Sequence, residues 1–349
     1  MKRVTIVIVG AVALILGVVL GAVLRGRNAS QTAGSSTTRI YGINVAYSTQ
    51  PFFQEVTGTG KKISSVVPGV EFVIGGPSDA DSGKQIEDME AMVSRHVKGI
   101  ILFPADPSAL APEIDKTVSS GIPVITLFSD VPHSKRLTLV GAPEQDSGTL
   151  LAQRVLDGNP EFAIHKTEIL VSYNKPGETV TDERLAGMKT VFNSPKYRNT
   201  VELVQVVNDY GSDAKAAAAI SPVLEKHKNI RVIFGLNARS AIGAITALRE
   251  GRKANGEPYK PGDVVVTGWD SDADVLDGIE NGWIRATSVL NSSLCTQIAF
   301  SILDAKNLGY LYPESLQLRD LSFPAVPNEI LIPETFVDKQ NVAGYRPKK

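Results

Sequence analysis

Ten short runs of apolar and β-branched residues constrain the fold of this chain more than any other feature. They are separated by longer stretches of helical periodicity, and in order they read IYGINVAY, EFVIGG, GIILF, PVITLF, LTLVG, EILVSY, VELVQVV, RVIFGL, DVVVTGW and IRATSVL. Continuous apolar strands with a helix between successive ones are typical of parallel sheets that are covered on both faces. The connections between such strands are right-handed. The sequence therefore predicts an α/β fold.

The length of the chain favours two such units over one. The protein has 349 residues, and a domain usually holds about 100 to 200 residues. Two doubly wound lobes accommodate ten strands better than a single ten-stranded sheet does. In open sheets of this kind, ligands bind beyond the carboxyl ends of the strands.

The composition excludes some partners and some kinds of crosslink. Lysine and arginine number 36 against 37 acidic residues, which gives a net charge of −1. Such a chain has no overall basic field, so we expect no nucleic-acid partner. The single cysteine, Cys295, allows no disulfide within the chain and leaves no N-terminal cysteine for a lipid anchor.

The N-terminal stretch from Val4 to Leu24 contains no charged residue and directly follows Lys2 and Arg3. As a helix it would extend about 31 Å, which matches a bilayer core of roughly 30 Å. A cleaved signal peptide has the same order of features, but its apolar core is shorter and ends at a small-residue site that is not clear here. The pattern favours an uncleaved membrane anchor over 1–25, with a cleaved signal as the alternative. A flexible tether over 26–38 follows, so we expect the remainder in the periplasm or outside the cell.

Aromatic and planar polar residues recur where the predicted strands end. Gln50, Phe52 and Phe53 follow the first run, at the start of a helix that Pro51 introduces. The other strand-end candidates are Phe103, Phe128, Asp130, Tyr210, Asn237, Asp270, Leu290 and Asn291. Ring faces combined with amides and carboxylates suit a polyhydroxylated ligand. The alternative for Phe52 and Phe53 is that both rings only fill the core.

With these residues placed, the chain resembles the type I periplasmic solute-binding proteins, which include sugar receptors of ABC importers. The resemblance covers about 40–337 and is carried by "QPFF" from Gln50, "GIILFPADPSALAPEIDKTVSSGIPVITLFSDVPHSKRLTLVGAPEQDSG" from Gly99, "ERLAGM" from Glu183, "VIFGLNARSAIGA" from Val232 and "TGWD" from Thr267. It implies two lobes joined by three hinge strands, with the ligand clamped between them. The implied crossings lie near 139–146, 290–292 and 324–330. The N-terminal lobe would then comprise 39–142 and 291–325, and the C-terminal lobe 143–290 and 326–345.

The resemblance also implies roles for individual residues. Rings at Phe52 and Phe53 would sandwich a sugar beside Gln50, while the hydroxyl-binding positions would be Arg184, Asn237 and Asp270, with Tyr210 and Asp130 as weaker matches. The chain departs from the ribose-binding pattern at Phe103, Phe128 and Leu290, where ribose binders carry polar side chains. The resemblance therefore favours a ligand other than a free pentose.

Less specific interpretations remain open for two of these residues. Arg184 would form only a surface ion pair if it contacts Asp182 or Glu183. Asp270 would be only a helix cap if a helix begins in the run SDADVLDGI. The spacing of Asp270, Asp272 and Asp274 resembles a calcium loop, but Val275 and Asn281 occupy the positions that need glycine and glutamate.

Enzymatic activity, transcriptional repression and sensory signalling are the alternatives to binding and transport. The four histidines show no metal-binding spacing and no Gly-x-Ser-x-Gly motif is present, so we predict no enzymatic activity, no metal and no cofactor. A transcription repressor would carry a DNA-reading helical module where this chain has its apolar stretch. A tethered sensory receptor that signals to a membrane sensor protein, in place of an ABC permease, stays open as the alternative.

Overall fold

The computed structural model describes residues 38–311, 315–318, 321–324 and 326–346. The described residues belong to one compact unit, Thr38–Lys349. The predicted anchor and most of the tether lie outside them. None of the described helices has the length and apolar character that crossing a membrane requires.

The N-terminal lobe is built on a six-stranded parallel sheet. Its strands are β1 (Arg39–Asn44), β2 (Val70–Gly75), β3 (Ile100–Leu102), β4 (Val124–Leu127), β5 (Thr138–Gly141) and β13 (Glu329–Leu331). They lie in the order β13-β5-β4-β3-β1-β2. The helices of this lobe are α1 (Pro51–Val66), α2 (Ser82–Ser94), α3 (Pro107–Ser119) and α9 (Ser292–Asn307).

The C-terminal lobe repeats this architecture. Its strands are β6 (Thr167–Tyr173), β7 (Val201–Asn208), β8 (Ile230–Gly235), β9 (Val265–Trp269), β10 (Ala286–Val289) and β14 (Thr335–Asp338). They lie in the order β14-β10-β9-β8-β6-β7, and β14 is antiparallel to β10. The helices are α4 (Glu144–Asp157), α5 (Thr179–Phe192), α6 (Asp213–Lys226), α7 (Ala238–Glu250) and α8 (Ala273–Glu280). A separate two-stranded sheet joins β11 (Ser315–Leu318) to β12 (Leu321–Pro324).

Both sheets are covered on both faces, which confirms the predicted doubly wound α/β fold. Successive side chains of a strand point to opposite faces. In β3, Ile101 joins one apolar core of the N-terminal lobe, while Ile100 and Leu102 join the other. In β6, Leu170 belongs to one apolar core of the C-terminal lobe and Ile169 belongs to the other.

The chain passes between the lobes three times: at 142–143, at 290–291 and at 332–334. The sequence predicts the first two crossings near 139–146 and 290–292. The third differs from the prediction of 324–330, and 326–331 belong to the N-terminal lobe instead of the C-terminal one. The reason is that β13 adds to the edge of the sheet, where Ile330 lies opposite Val140 of β5, before the chain crosses.

Helices α4 and α5 approach each other closely at two glycines. A Cβ at Gly148 would lie 2.1 Å from the carbonyl oxygen of Arg184, and one at Gly187 would lie 2.0 Å from that of Gln145. Real Cβ atoms are not found at such distances, so only glycine permits this contact. The contact brings Arg184 of α5 next to the first turn of α4.

Candidate functional site

Residues that follow the carboxyl ends of strands from both sheets line a cavity of about 790 Å³, a volume that includes solvent at its mouth. Small-molecule sites in proteins usually measure about 300 to 1,000 Å³. Nine of the twelve residues predicted from the sequence line it, namely Gln50, Phe52, Phe53, Phe103, Phe128, Arg184, Asn237, Asp270 and Leu290. The cavity therefore lies where the strand-end rule predicts a site.

The N-terminal lobe contributes an aromatic wall. The rings of Phe53 and Phe103 lie 4.7 Å apart between centroids, and those of Phe52 and Phe128 lie 4.9 Å apart. Tyr47 stacks on Phe53 at 5.8 Å. Each of these rings also packs against the apolar core of the lobe, so Phe52 and Phe53 fill the core and line the cavity at once.

The C-terminal lobe contributes a polar wall that includes Arg184. Arg184 Nε donates to Glu144 Oε2 at 2.7 Å, and Nη1 donates to the carbonyl oxygen of Leu236 at 2.8 Å. Nη2 lies 3.4 Å from Glu334 Oε1, and the guanidinium carbon lies 4.4 Å from the centre of the Trp269 ring. A guanidinium has five N–H groups, so two remain for a ligand after these three bonds.

The strand-end rule also points to Glu144, which follows β5, although it is not among the predicted site residues. Glu144 is 3% exposed, and within the described part of the chain no donor reaches its Oε1 atom. Burial raises the pKa of Glu144 to about 8, although the Arg184 guanidinium opposes this shift. A buried acceptor without a donor is costly, so a ligand that donates to Oε1 would gain affinity from it.

Asp270 follows β9 and has a left-handed backbone with φ of +70°. Burial raises the pKa of its carboxyl to about 7, and the nearby charge of Asp272 adds to the shift. Asp272 itself is held by Arg239, whose guanidinium donates to it at 2.6 Å and to both oxygens of Asp274 at 3.0 Å. This wall therefore concentrates carboxylates.

Contacts between the lobes close one side of the cavity. Asn174 Nδ2 donates to the hydroxyl oxygen of Tyr47 at 3.2 Å and to Glu178 Oε1 at 2.8 Å. Gly211 lets Gln50 approach, since a Cβ there would lie 3.3 Å from Gln50 Nε2. Tyr47, Asn174 and Glu178 are lining residues that the sequence prediction omits, although Asn174 directly follows β6.

Three predicted residues do not line the cavity. Asp130 is held by Arg136, whose Nη2 donates to its Oδ2 at 2.7 Å. Tyr210 is 55% exposed, with the Lys215 ammonium 5.4 Å from the centre of its ring. Asn291 caps α9 by accepting from the Leu294 amide at 2.9 Å. Each side chain is engaged by a partner near it in sequence.

The less specific interpretations of Arg184 and Asp270 are wrong. Arg184 is buried and pairs with Glu144 and Glu334, not with Asp182 or Glu183. Helix α8 begins at Ala273 with Asp272 at the cap position, so Asp270 does not cap it.

The calcium-loop spacing has a different explanation. Asp272 and Asp274 hold the Arg239 guanidinium between them. Asn237, which precedes Arg239 by two residues, caps α7 by accepting a hydrogen bond from the Ser240 amide at 2.7 Å. Asn237 also lines the cavity.

Comparison with known proteins gives a family match over most of the chain. A profile of the family described as "Periplasmic binding protein domain" matches residues 41–309. The ribose import binding protein of Bacillus subtilis is 24% identical over 293 residues, which cover 82% of this chain and 88% of that protein. The D-ribose/D-allose-binding protein of Pseudomonas aeruginosa is 24% identical over 249 residues, covering 68% and 72% respectively.

Solved structures share the fold at low sequence identity. An ABC transporter solute-binding protein from Burkholderia graminis, in complex with D-arabinose, has a TM-score of 0.77 and 21% identity, and covers 90% of this chain and 100% of that one. One from Bacillus halodurans with bound myo-inositol has a TM-score of 0.74 and 20% identity, and covers 90% and 99%. These similarities show two lobes of the same architecture.

Proposed function

The chain belongs to the periplasmic binding protein domain family, and on that premise we propose that it is an extracytoplasmic solute-binding protein. It holds a small sugar-like ligand between its lobes and delivers it to an ABC importer. The observation that carries the proposal is the cavity with aromatic rings on one wall and hydrogen-bonding side chains on the other. Rings stack on the C–H faces of a sugar, while amides, carboxylates and guanidiniums bind its hydroxyls.

The names of the relatives support a binding role over catalysis. They bind ribose, allose or arabinose, and one structural neighbour holds myo-inositol. The N-terminal apolar stretch supports a location outside the cytoplasmic membrane, with the protein anchored there. The nine predicted residues that line the cavity are the ones we propose to contact the ligand.

The ligand has fewer hydroxyls or a larger apolar face than a free pentose. Phe103, Phe128 and Leu290 all line the cavity. A hydroxyl pressed against one of these side chains loses water without gaining a partner, at a cost of roughly 1 to 3 kcal/mol each. Three such losses would remove most of a micromolar affinity, which corresponds to about 8 kcal/mol. Deoxy-sugars, methylated sugars and glycosides avoid them.

A thermal-shift screen of the chain from Ser36 onward tests this proposal. A ligand at about 100 times its dissociation constant adds roughly 2.7 kcal/mol of stability, which raises the melting temperature by several degrees. We expect deoxy- or methylated sugars to produce this shift and ribose to produce less. Ribose acting at micromolar concentration while the others do not would contradict the ligand class.

Two glutamines at the start of helix α1 provide a matched pair of variants. Gln50 lines the cavity, whereas Gln54, one turn later, is exposed and lies outside it. We expect Gln50→Ala to reduce the ligand-induced shift and Gln54→Ala to leave it intact. Equal effects would place the ligand elsewhere.

A further inference from the structure

The C-terminal wall of the cavity contains more carboxyl groups than guanidinium groups. Among the described residues that line the cavity, the carboxylates are Glu144, Glu178, Asp270 and Asp272, and the guanidiniums are Arg184 and Arg239. Each guanidinium also pairs with a carboxylate that does not line the cavity, Arg184 with Glu334 and Arg239 with Asp274, and Asp213 lies 4.0 Å from Arg239. Seven carboxyl groups thus lie in or beside this wall, against two guanidiniums.

Two of the lining carboxylates lack a cationic partner within the described ranges. Asp270 forms no ion pair there, and neither does Glu178, whose oxygens accept from Asn174 Nδ2 and Thr181 Oγ1. Burial raises the pKa of Glu178, as it does for Asp270. Buried carboxylates are stable when they are paired, so this wall favours a positive charge in the cavity.

Two unpartnered acceptors lie in the same wall. Glu144 Oε1 and Asn174 Oδ1 are both buried, and in the region that the structure covers neither accepts a hydrogen bond. Glu144 is 3% and Asn174 6% exposed, and both residues line the cavity. Acceptors without donors indicate that the missing partner is rich in N–H or O–H groups.

The opposite wall also suits a cation. The faces and edges of Phe52, Phe53, Phe103 and Phe128 meet in one cluster along the N-terminal wall. Aromatic rings attract organic cations through their negative faces, most strongly where water is excluded. They give no comparable attraction to a neutral ligand beyond apolar contact.

The shape of the acidic wall points to an organic cation instead of a metal ion. Within 38–311, 315–318, 321–324 and 326–346, no three His, Cys, Asp or Glu side chains converge as a metal site requires. The carboxylates surround the cavity, and the rings supply apolar surface that a bare metal ion would not use.

We propose that the ligand is an amino sugar or a closely similar sugar derivative with one protonated amine. This inference rests on the proposed function, which puts a sugar-like molecule in the cavity. The ammonium group donates to Asp270 and to the unpartnered acceptors of the C-terminal wall. The apolar face of the sugar ring packs against the phenylalanine rings, and Arg184 binds a hydroxyl.

Calorimetry with matched probes tests the charge. Glucosamine, glucose and N-acetylglucosamine share one ring, and only glucosamine carries an ammonium group. At pH 6.5 we expect glucosamine to bind the chain from Ser36 onward at least about tenfold tighter than the other two, because charge-assisted hydrogen bonds are stronger than neutral ones. Galactosamine and galactose form a second pair of the same kind.

Two variants separate the charge effect from a general loss of binding. Asp270→Asn removes one carboxylate of the wall and keeps a side chain of the same size, so it should reduce the preference for glucosamine over glucose at least fivefold. Glu202→Gln removes a carboxylate from the exposed surface of the same lobe and should leave that preference unchanged. Equal preference in wild type and Asp270→Asn would overturn the inference.

A third probe pair distinguishes this inference from the proposed function. If neutral sugars bind as tightly as their amino forms, the charge inference fails and the sugar-binding proposal stands. Cyclohexylammonium could also bind while cyclohexanol and all of the sugars fail to bind. In that case the charge inference stands and the sugar proposal fails. If none of these probes binds at millimolar concentration, the charge inference is overturned, and the deoxy- and methylated sugars of the thermal-shift screen decide the proposed function separately.

Discussion

Two residues that line the cavity have left-handed backbone conformations, which residues other than glycine rarely adopt. Phe128 has a φ of +65° and Asp270 a φ of +70°, and each directly follows a strand. Such conformations cost on the order of 1 to 3 kcal/mol. The fold holds them in place, since the Phe128 amide donates to Val140 and the Asp270 amide to Ser288, both at 2.8 Å. The strain directs one ring and one carboxylate towards the cavity.

Asp270 should make folding stability depend on pH. Because the pKa of Asp270 is about 7 in the folded state and about 4 in the unfolded state, the protein is most stable when this carboxyl is protonated. The free energy of unfolding therefore decreases as pH rises from about 4 to about 7. Asp270→Asn tolerates the same backbone conformation and carries no charge. We expect the variant to gain stability over wild type by on the order of 1 to 3 kcal/mol at pH 8 and little at pH 4.

Urea denaturation at pH 4, 6 and 8 measures this difference. Glu202→Gln serves as the control, because Glu202 is exposed and its replacement should not change the pH profile. A constant difference between Asp270→Asn and wild type across these pH values would contradict a buried, charge-sensitive carboxyl.

At the scale of elements, the contact between α4 and α5 determines the geometry of the polar wall. Glu144 begins α4 and Arg184 lies in α5, so their 2.7 Å ion pair depends on how closely the two helices approach. Gly148 and Gly187 permit that approach. A wider spacing would separate the ion pair and leave the buried Glu144 carboxyl without its cationic partner.

Gly148→Ala should therefore destabilise the protein and weaken ligand binding. Its Cβ would meet the Arg184 carbonyl at 2.1 Å, so backbone must move, and we expect a loss of about 1 to 3 kcal/mol. Gly58→Ala is the matched control, since Gly58 also lies in a helix but a Cβ there meets nothing within 4 Å. That change should be neutral or stabilise by up to about 1 kcal/mol. Similar melting temperatures for the two variants would exclude the steric argument.

Elements with strong periodicity were predictable from the sequence, whereas specific pairings were not. All ten predicted runs form strands, because buried parallel strands need continuous apolar sequence. The three-residue strand β13 is too short for a periodic signal, so the third crossing was predicted too early.

The failures at single residues have a similar cause. Arg184 has acidic neighbours in sequence, and its actual partners, Glu144 and Glu334, are far along the chain and meet it only after the helices pack. Asp130 follows a strand as the other candidates do, but its carboxylate forms an ion pair with Arg136 of the same loop and does not line the cavity. Strand ends thus predict where a site lies, while tertiary contacts decide which side chains remain available.

At the scale of the whole molecule, the cavity belongs to both lobes. Its aromatic wall comes from one and its polar wall from the other, and the hydrogen bond from Asn174 to Tyr47 joins them. A ligand that contacts both walls stabilises the state in which they lie close together, by the difference in its affinity for the closed and open states.

Small-angle scattering should therefore show a smaller radius of gyration when ligand is added. Tyr47→Phe keeps the ring and removes the hydroxyl that accepts from Asn174, so we expect it to increase the radius of the unliganded protein. An unchanged radius in wild type, with saturation verified by calorimetry, would rule out closure.

The order of the strands has a consequence for biosynthesis. As the ribosome releases the chain, the N-terminal lobe emerges without α9 and β13, which are encoded after the whole segment 144–289 of the other lobe. Until then, the face that later packs against Cys295, Ala299 and Leu303 of α9 has no cover. The lobe that begins first therefore waits for β13, which is made just before β14 completes the other lobe, and the nascent protein cannot complete its fold before nearly all of it has been translated.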